Sequence, residues 1–297
     1  MNKNSPSNIW PSLVLCIFSS IFVLTSCIAC GIGSNSTKGS NSTGENSVND
    51  TWVLTWSDEF NGADGSSPDS SKWAFDLGGN GWGNNELETY TSRPQNAQIQ
   101  GGNLVITAFQ EDYIGEDGIL RPYTSARIKT QGKFSQQYGR FEARIKLPAG
   151  KGIWPAFWLL GENIDTVSWP TCGELDIMEN IGNHPNTVYS TVHGPTSNGS
   201  AYRIGTTYDL SHGAFSDDFH IFAMEWDPNA LRFYVDGNLY STLTPGNLPE
   251  GYVWVFDHPF FIILNVAVGG VWAGSPDAST FFPQSMLVDY VRVYTRS

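Results

Sequence analysis

The stretch Phe141–Leu147 has the sequence Phe-Glu-Ala-Arg-Ile-Lys-Leu, in which an apolar residue alternates with a charged one. A period of two places the apolar side chains on one face of a β-strand and the charged ones on the other. This stretch therefore predicts a strand with one dry and one solvated face. We predict strands in the same way for Leu104–Phe109, Phe219–Trp226 and Val288–Tyr294.

Two further segments extend the β-pattern. In Leu231–Tyr240, Asp236-Gly237 separates two short runs, and Asp-Gly is favoured in the tight turn of a β-hairpin. Phe260–Val268 is apolar except for one asparagine, which predicts a strand buried on both faces. We find no long helical periodicity and no internal repeat. Many antiparallel strands in residues 51–297 predict an all-β protein, a two-sheet β-sandwich or jelly roll.

The composition excludes several functional classes. The 297 residues include 16 Lys plus Arg against 29 Asp plus Glu, a net charge of -13. Because this surplus repels phosphate backbones and no strong basic patch is present, we predict that the protein binds no nucleic acid. Only 15% of residues are charged and 13% are aromatic, which is unlike a coiled coil or a disordered acidic chain.

The first fifty residues differ in composition from the rest. Leu13–Leu24 is an apolar run shorter than the ~20 residues that a membrane-spanning helix needs, so residues 1–26 are predicted to be a signal peptide. The run ends in Leu-Thr-Ser-Cys27, which resembles a bacterial lipobox, in which the cysteine is lipidated. An ordinary secretory signal is the alternative. Residues 27–50, rich in Gly, Ser, Asn and Thr, predict a flexible tether.

These features predict where the protein acts. We expect secretion across the inner membrane and a lipid anchor at Cys27 on the bacterial outer membrane or cell surface. Residues 51–297 are then the folded domain, which we expect to be monomeric. Cys172 is its one cysteine, so the domain has no internal disulfide and its stability must come from a large core.

Acidic residues concentrate in Gly173–Asn180, which has the sequence Gly-Glu-Leu-Asp-Ile-Met-Glu-Asn. On a regular strand Glu174 and Asp176 share a face and Glu179 points away from them. A one-residue β-bulge at Ile177-Met178 would bring Glu179 to the same face. Leu175 and one of the two bulge residues would then pack into the core.

This arrangement suits the hydrolysis of glycosidic bonds. Two Glu carboxyls from one strand can converge to the ~5–5.5 Å that retaining glycosidases use. We predict Glu174 as the nucleophile and Glu179 as the general acid and base. Asp176 would orient Glu174, and its charge would help to keep Glu179 protonated. The alternatives are a calcium site or a solvated acidic face, but calcium ligands usually come from loops.

The acid motif belongs to a longer pattern. It is preceded by Trp154–Trp158 and followed by Asn265–Gly270, and the pattern extends from Trp56–Phe60 through Gly81–Glu86 to Asp289–Tyr294. Over nearly the whole chain after the tether, it resembles glycoside hydrolase family 16, specifically the laminarinase-like members. The resemblance implies a jelly roll of the concanavalin A-like lectin/glucanase type, with a substrate cleft across its concave sheet. It also implies endo-hydrolysis of β-1,3-linked glucan with retention of configuration. The extra residue in the acid motif distinguishes it from lichenase-like relatives.

The resemblance also implies substrate contacts. Trp154 and Trp158 lie four apart on a predicted strand, so they share a face and can stack on sugar rings. Trp272 looks like another cleft aromatic, and core packing is the alternative for all three. His193 would support Glu179 or the sugar, with a buried, hydrogen-bonded histidine as the alternative.

A Gly-rich loop offers further contacts. The resemblance implies that Asn84 or Asn85, together with Arg93, binds sugars on the non-reducing side, and an ordinary turn is the alternative. Asn265 is the polar residue of an apolar run and needs a hydrogen bond if buried. We interpret it as structural or as support for the cleft.

The resemblance implies no cofactor for catalysis but allows a structural calcium ion on the convex side. Glu59, the backbone of Gly102 and Asp289 occupy the matching segments, and ordinary surface acids are the alternative. Cys172 is interpreted as a small buried side chain.

Three functions follow as hypotheses. The first is an endo-β-1,3-glucanase acting on a neutral β-glucan such as laminarin. The second is a hydrolase of another β-linked glycan, such as mixed-linkage glucan, agarose or carrageenan. The third is a non-catalytic glucan-binding protein, although such relatives tend to lose the acids that this sequence keeps.

Overall fold

Strands make up most of the regular structure in residues 51–297, which are the residues that the computed structural model describes. The predicted signal peptide, the lipobox cysteine Cys27 and the tether lie outside these residues. Two four-residue helices, α1 (Ile164–Val167) and α2 (Gly270–Ala273), and a 3-10 turn at Pro245–Asn247 complete the described elements. No helix within this part of the chain has both the length and the apolar character needed to span a membrane. The strands are β1 (Trp52–Asp58), β2 (Ala74–Asp76), β3 (Glu88–Tyr90), β4 (Ala97–Gln100), β5 (Asn103–Ile114), β6 (Leu120–Ser125), β7 (Arg127–Lys129), β8 (Gly139–Lys146), β9 (Ile153–Gly161), β10 (Glu174–Glu179), β11 (Thr187–Pro195), β12 (Ala201–Asp209), β13 (His220–Asp227), β14 (Ala230–Val235), β15 (Asn238–Leu243), β16 (Phe260–Val268) and β17 (Gln284–Arg296).

The strands form two sheets. The ten-stranded sheet has the order β15-β14-β13-β8-β17-β5-β6-β3, with β1 paired to β17 and β4 paired to β5. The seven-stranded sheet has the order β12-β11-β10-β9-β16-β7-β2. Its strands pair antiparallel, whereas the larger sheet includes the parallel pair β3–β6. The all-β, jelly-roll sandwich predicted from the sequence is confirmed.

The sequence patterns translate directly into these strands. In β8 the apolar residues Phe141, Ala143 and Ile145 are buried, and the charged residues between them are half-buried on the outer face. Between β14 and β15, Asp236 and Gly237 have φ angles of 50° and 77°, the positive values that this tight turn requires.

A single large core fills the space between the two sheets. It contains residues such as Phe141 and Ile262 from opposite sheets, both with 0% exposure. Each large apolar side chain buried in this way contributes about 1.5–3 kcal/mol. Cys172 is a free, buried thiol, so among the described residues no disulfide supports this core.

Strand β16 shows why its sequence is apolar throughout. Its inner face enters the main core, and on its outer face Phe261 and Ile263 join Leu160 and Cys172 in a second, small apolar cluster. Further along the same outer face, Asn265 and Ala267 line a cleft. The apolar cluster therefore ends where the cleft begins.

Candidate active site

The acid motif forms β10, in which a bulge shifts the strand register by one residue. Asp176 and Met178 pair with adjacent residues of β9, so Ile177 is the extra residue. Because of this insertion, Glu174, Asp176 and Glu179 all line the same cleft on the outer face of the seven-stranded sheet. The predicted bulge is confirmed.

One detail of the bulge differs from the prediction. We expected only one of Ile177 and Met178 to enter the core, but both are buried in it, as is Leu175. Two consecutive residues of a bulge oppose one residue of the partner strand, so strict alternation is interrupted there. The hydroxyl of Ser190 on β11 donates a 2.7 Å hydrogen bond to the Ile177 carbonyl and satisfies it.

Burial is the largest influence on the three carboxyl groups. It raises the pKa of Glu174 to about 7 and that of Asp176 to about 8. It also holds the pKa of Glu179 well above its ordinary value, and the charges of Asp176 and Glu174 add to this rise. In residues 51–297, no Lys or Arg lies within ion-pair distance of these carboxyls; His193 does. The three groups therefore titrate together, and protons remain among them at neutral pH.

His193 lies opposite Glu174 in the β10–β11 pairing. Its Nε2 is 3.1 Å from Asp176 Oδ2 and 3.6 Å from Glu174 Oε1. The 3.1 Å contact lacks hydrogen-bond geometry, since Asp176 Oδ2 has no hydrogen-bond partner among the described residues. The sequence predicted His193 near Glu179 or the sugar. The strand register brings its ring nitrogen to Glu174 and Asp176, and His193 is also near enough to Glu179 to oppose the rise in the pKa of that residue.

The same three side chains are the one group among the described residues whose donor atoms could surround a metal ion. The donor atoms of Glu174, Asp176 and His193 lie within 4.8 Å of one another. A cation there would occupy the carboxylate that the acid motif offers as a nucleophile. We therefore assign the group to acid–base and nucleophilic chemistry.

The predicted tryptophans lie in the cleft. Trp154 Nε1 donates a 3.0 Å hydrogen bond to Glu179 Oε1. Trp158 Nε1 donates a 2.8 Å hydrogen bond to Asn265 Oδ1, which explains the polar residue in β16. Trp272, on α2, packs edge-on against Trp154 with a centroid distance of 5.1 Å. Aromatic rings and a polar support thus form the cleft wall beside the acids.

Sequence reasoning missed Trp169. Its Nε1 donates a 3.0 Å hydrogen bond to Glu174 Oε2, it lines the cleft, and it is 46% exposed. The available signal was a tryptophan beside a proline, five residues before the first acid. A large aromatic held in such a loop is unusual unless it packs or binds something.

Two cleft arginines were also missed, because neither has a distinctive local sequence. The guanidinium of Arg127 lies 4.8 Å from the Trp82 ring centroid and 4.7 Å from that of Trp158, and it pairs with Asp76 at 2.9 Å. Arg203, on β12, also lines the cleft. Its charge opposes the rise in the pKa of Asp176.

The Gly-rich loop contributes less to the cleft than expected. Asn84 lines the cleft, and its Nδ2 donates a 3.0 Å hydrogen bond to Glu86. Asn85 is exposed, does not line the cleft, and has a φ of 57°, which is typical of a turn. Arg93 lines a separate cavity instead, where it hydrogen-bonds Glu111 and Asn96.

The residues expected to hold calcium are paired with arginines. Glu59 accepts hydrogen bonds of 2.9 and 2.8 Å from Arg292, and Asp289 accepts one of 2.8 Å from Arg144. Calcium would have to compete with Arg292 for both oxygens of Glu59, whereas Asp289 Oδ1 has no hydrogen-bond partner among the described residues. The calcium site stays a prediction.

The cleft has a volume of about 1080 Å³, enough for several sugar units. Acids from one bulged strand, on the floor of an aromatic cleft in a jelly-roll sandwich, define a glycoside hydrolase. Residues 84–292 match the model of Glycosyl hydrolases family 16. The chain belongs to this family.

Individual relatives agree with this assignment. The chain is 43% identical over 261 residues to a β-glucanase of Rhodothermus marinus, covering 82% of this chain and 85% of that protein. The catalytic domain of an endo-1,3-β-glucanase (laminarinase) from Thermotoga petrophila RKU-1 superposes with a TM-score of 0.77 and 50% identity, over 84% of this chain and 99% of that one. The laminarinase catalytic domain of Thermotoga maritima MSB8 superposes with a TM-score of 0.76 and is 53% identical. The match covers 82% of this chain and 98% of that one.

Proposed function

We propose that the protein is an endo-acting, retaining glucanase that cleaves β-1,3-glucosidic bonds in a neutral β-glucan such as laminarin. The observation that carries this proposal is the bulge, which brings Glu174 and Glu179 to one face of an aromatic cleft. A retaining mechanism needs two neighbouring carboxyls, one as nucleophile and one as general acid and base, and without the bulge Glu179 would point away from Glu174. The β-glucanase of Rhodothermus marinus supports a glucan substrate, and the endo-1,3-β-glucanase of Thermotoga petrophila supports the linkage and the endo action.

The first step transfers the sugar to the enzyme. A carboxylate oxygen of Glu174 attacks the anomeric carbon, the bond to the leaving oxygen breaks, and Glu179 donates its proton to that oxygen. The Trp169 hydrogen bond and nearby His193 favour the anionic form of Glu174. Burial and neighbouring negative charge keep Glu179 protonated. The product is an ester between Glu174 and the sugar.

The second step releases the sugar to water. Glu179, now a carboxylate, takes a proton from a water molecule, whose oxygen attacks the anomeric carbon. The ester bond breaks and Glu174 leaves as a carboxylate. Two inversions at one carbon give net retention, and the chain's own side chains supply all the chemistry.

Asp176 acts as a positioning residue in this scheme. It is 3% exposed, adjoins Glu174 on the same face, and titrates with both other acids. Its negative charge raises the pKa of Glu174 and of Glu179. When ionised, it therefore opposes loss of the Glu179 proton before bond cleavage.

Substrate analysis tests the proposal. The protein is incubated with laminarin, mixed-linkage glucan, agarose and carrageenan, and fresh products are separated by chromatography and followed by NMR. We expect β-1,3 oligosaccharides of several lengths that appear first as the β-anomer. If laminarin released no soluble oligosaccharide, the substrate class would be wrong. Early α-anomer would contradict retention.

We also propose the N-terminal organisation that the sequence predicts: a signal peptide in residues 1–26, a lipidated Cys27, a tether to residue 50 and a catalytic domain in residues 51–297. The enzyme would then act as a monomer at the outer membrane or cell surface. Mass spectrometry of the mature N-terminus tests the anchor, because acyl chains add a defined mass to Cys27. An unmodified N-terminus would indicate simple secretion.

A further inference from the structure

A second cavity of about 330 Å³ lies outside the catalytic cleft. The loop Leu77–Asn80, residues from Thr89 to Arg93 and the tip of the β5–β6 hairpin form its wall. Neither Glu174 nor Glu179 lines it. Its role is therefore not explained by bond cleavage.

The cavity wall offers groups that bind sugars. The ring of Tyr113 lies 4.6 Å from the guanidinium carbon of Arg93 and is half-buried. The side chains of Asn80, Ser92 and Glu116 are exposed residues of the same wall. An aromatic ring surrounded by amide, hydroxyl and carboxylate groups can stack on a sugar and hydrogen-bond its hydroxyls.

A buried hydroxyl in this wall lacks a partner. Thr89 is 2% exposed, and its Oγ1 makes no hydrogen bond to any described residue. Buried polar atoms are normally satisfied by protein, water or ligand. Its Oγ1 lies behind the backbone of Gly79, 2.7 Å from the position a Cβ would take there, so the exposed side chains of the wall, and not this hydroxyl, would meet an occupant.

The charges at the cavity indicate a neutral occupant. Arg93 is paired with Glu111, and Arg121 forms two hydrogen bonds, of 3.0 and 2.6 Å, to Asp117. Both guanidinium charges are thus already neutralised by carboxylates. Exposed Glu116 adds negative charge, which disfavours an anionic ligand.

The cavity and the cleft share one wall. Trp82 lines the cleft, and its Nε1 donates a 3.1 Å hydrogen bond to the carbonyl of Gly78, which lines the cavity. Tyr90 lines the cavity, packs on Trp82 with a centroid distance of 5.3 Å, and donates a 3.1 Å hydrogen bond to Glu86 of the cleft. A polysaccharide in the cleft is therefore a near source of sugar for the cavity.

We propose that this cavity is an additional binding site for a glucosyl unit of the polysaccharide, with Tyr113 as its stacking platform. The inference rests on the proposed function, since it takes the substrate to be a neutral glucan. The unit belongs either to the chain in the cleft or to a second chain. The chemistry of recognition is the same in both cases.

Kinetics on long and short substrates test the proposal. Ser92→Trp fills the cavity and Tyr113→Ala removes the platform, whereas Gln95→Trp adds a ring at an exposed site outside the wall. We expect both cavity variants to raise KM for laminarin about two- to tenfold, the equivalent of one aromatic contact. Both cavity variants should keep wild-type activity on a substrate of the length of laminaritriose. The control Gln95→Trp should keep wild-type activity on both substrates.

The outcomes separate the two proposals. Unchanged KM for laminarin in both cavity variants, or an equal loss on the short substrate, would overturn the cavity site. No hydrolysis by the wild-type protein would instead overturn the proposed function. Pull-down on insoluble β-1,3-glucan needs no hydrolysis and tests the cavity separately. The same pull-down with the Glu174→Gln variant, its cleft saturated with a short oligosaccharide, distinguishes the source of the glucosyl unit. If binding that depends on the cavity remains, the unit comes from a second chain. If that binding is lost, the unit belongs to the chain in the cleft.

Discussion

The outer surfaces of the two sheets both carry acidic side chains, but in opposite electrostatic settings. On the ten-stranded sheet, Glu142 and Glu225 pair with Arg140 at 2.7 and 3.1 Å. Beside it, the hydrogen bonds from Arg292 lower the pKa of Glu59. Among residues 51–297, no arginine or lysine pairs with the cleft carboxyls of the seven-stranded sheet, and burial raises their pKa. An arginine partner therefore favours the anionic form of Glu59, whereas burial without such a partner lets the cleft acids carry protons.

The largest expected difference between the two surfaces is in activity. Glu174→Gln should lower kcat about 10³–10⁶-fold, because an amide cannot form the ester intermediate. Glu142→Gln on the other sheet should leave kcat within about twofold, since it is remote from the cleft. Initial rates on laminarin measure both. Near wild-type turnover in Glu174→Gln would refute its role as nucleophile.

Stability should respond to pH with opposite signs on the two surfaces. The pKa of Glu174 is about 7 in the folded protein, above its ordinary 4.5, so the folded state binds more protons between these values. Its contribution to the free energy of unfolding therefore falls as pH rises from 4.5 to 7. Glu174→Gln removes this dependence and should be more stable than wild type by about 1–3 kcal/mol at pH 8, but not at pH 4.

Glu59→Gln is the matched variant from the other surface. Because the folded-state pKa of Glu59 is lowered, its stabilisation is present above its ordinary pKa and is lost as pH falls. The free energy of unfolding of this variant should therefore be lower than that of wild type at pH 8 and nearly equal to it at low pH. The loss at pH 8 should be smaller than the gain expected for Glu174→Gln. Urea unfolding at both pH values checks the two signs. A stability change of the same sign in both variants would show that the two carboxyls do not titrate in opposite directions on folding.

A smaller effect is expected from single hydrogen bonds to the cleft acids. Trp169→Phe keeps the ring but removes the donor to Glu174, so the pKa of Glu174 should rise. The acidic limb of the kcat/KM profile should then move up by about one pH unit. Trp154→Phe, which removes the donor to Glu179, should instead move the alkaline limb upward. A change in rate with neither limb moved would indicate packing alone.

The smallest effect is expected for the exposed ion pair Arg144–Asp289, in which both side chains are 37% exposed. Solvent screens such a pair, so its coupling free energy should be below about 0.5 kcal/mol. A double-mutant cycle with Arg144→Ala and Asp289→Asn, followed by urea unfolding, measures it. A coupling of several kcal/mol would show that this surface is more than a set of screened charges.

The sequence predicted what depends on local periodicity. The alternation in β8, the Asp236-Gly237 turn and the bulge at Ile177 follow from the spacing of neighbouring residues, and all three are confirmed. The sequence therefore also placed Glu174 and Glu179 on one face. Which of their neighbours donate hydrogen bonds was not decided by that spacing.

The missed or misplaced residues depend on contacts between separate segments. Arg127 reaches the cleft because β7 pairs with β16, and His193 reaches Asp176 because of the register of β11. Arg93 is drawn into a network with Glu111 and Asn96 instead of the catalytic cleft. Such cross-strand neighbours cannot be derived from the order of residues in one segment.

The position of β17 in its sheet has a consequence for folding. This strand, the last in the described chain, lies between β8 and β5, and it also pairs with β1. Until it inserts, the ten-stranded sheet remains divided, with unpaired edges that can attract other chains. Pairings between such distant segments also slow folding to milliseconds or seconds. When the chain is synthesised from its N-terminus, the larger sheet therefore cannot close until residues 284–296 have been made.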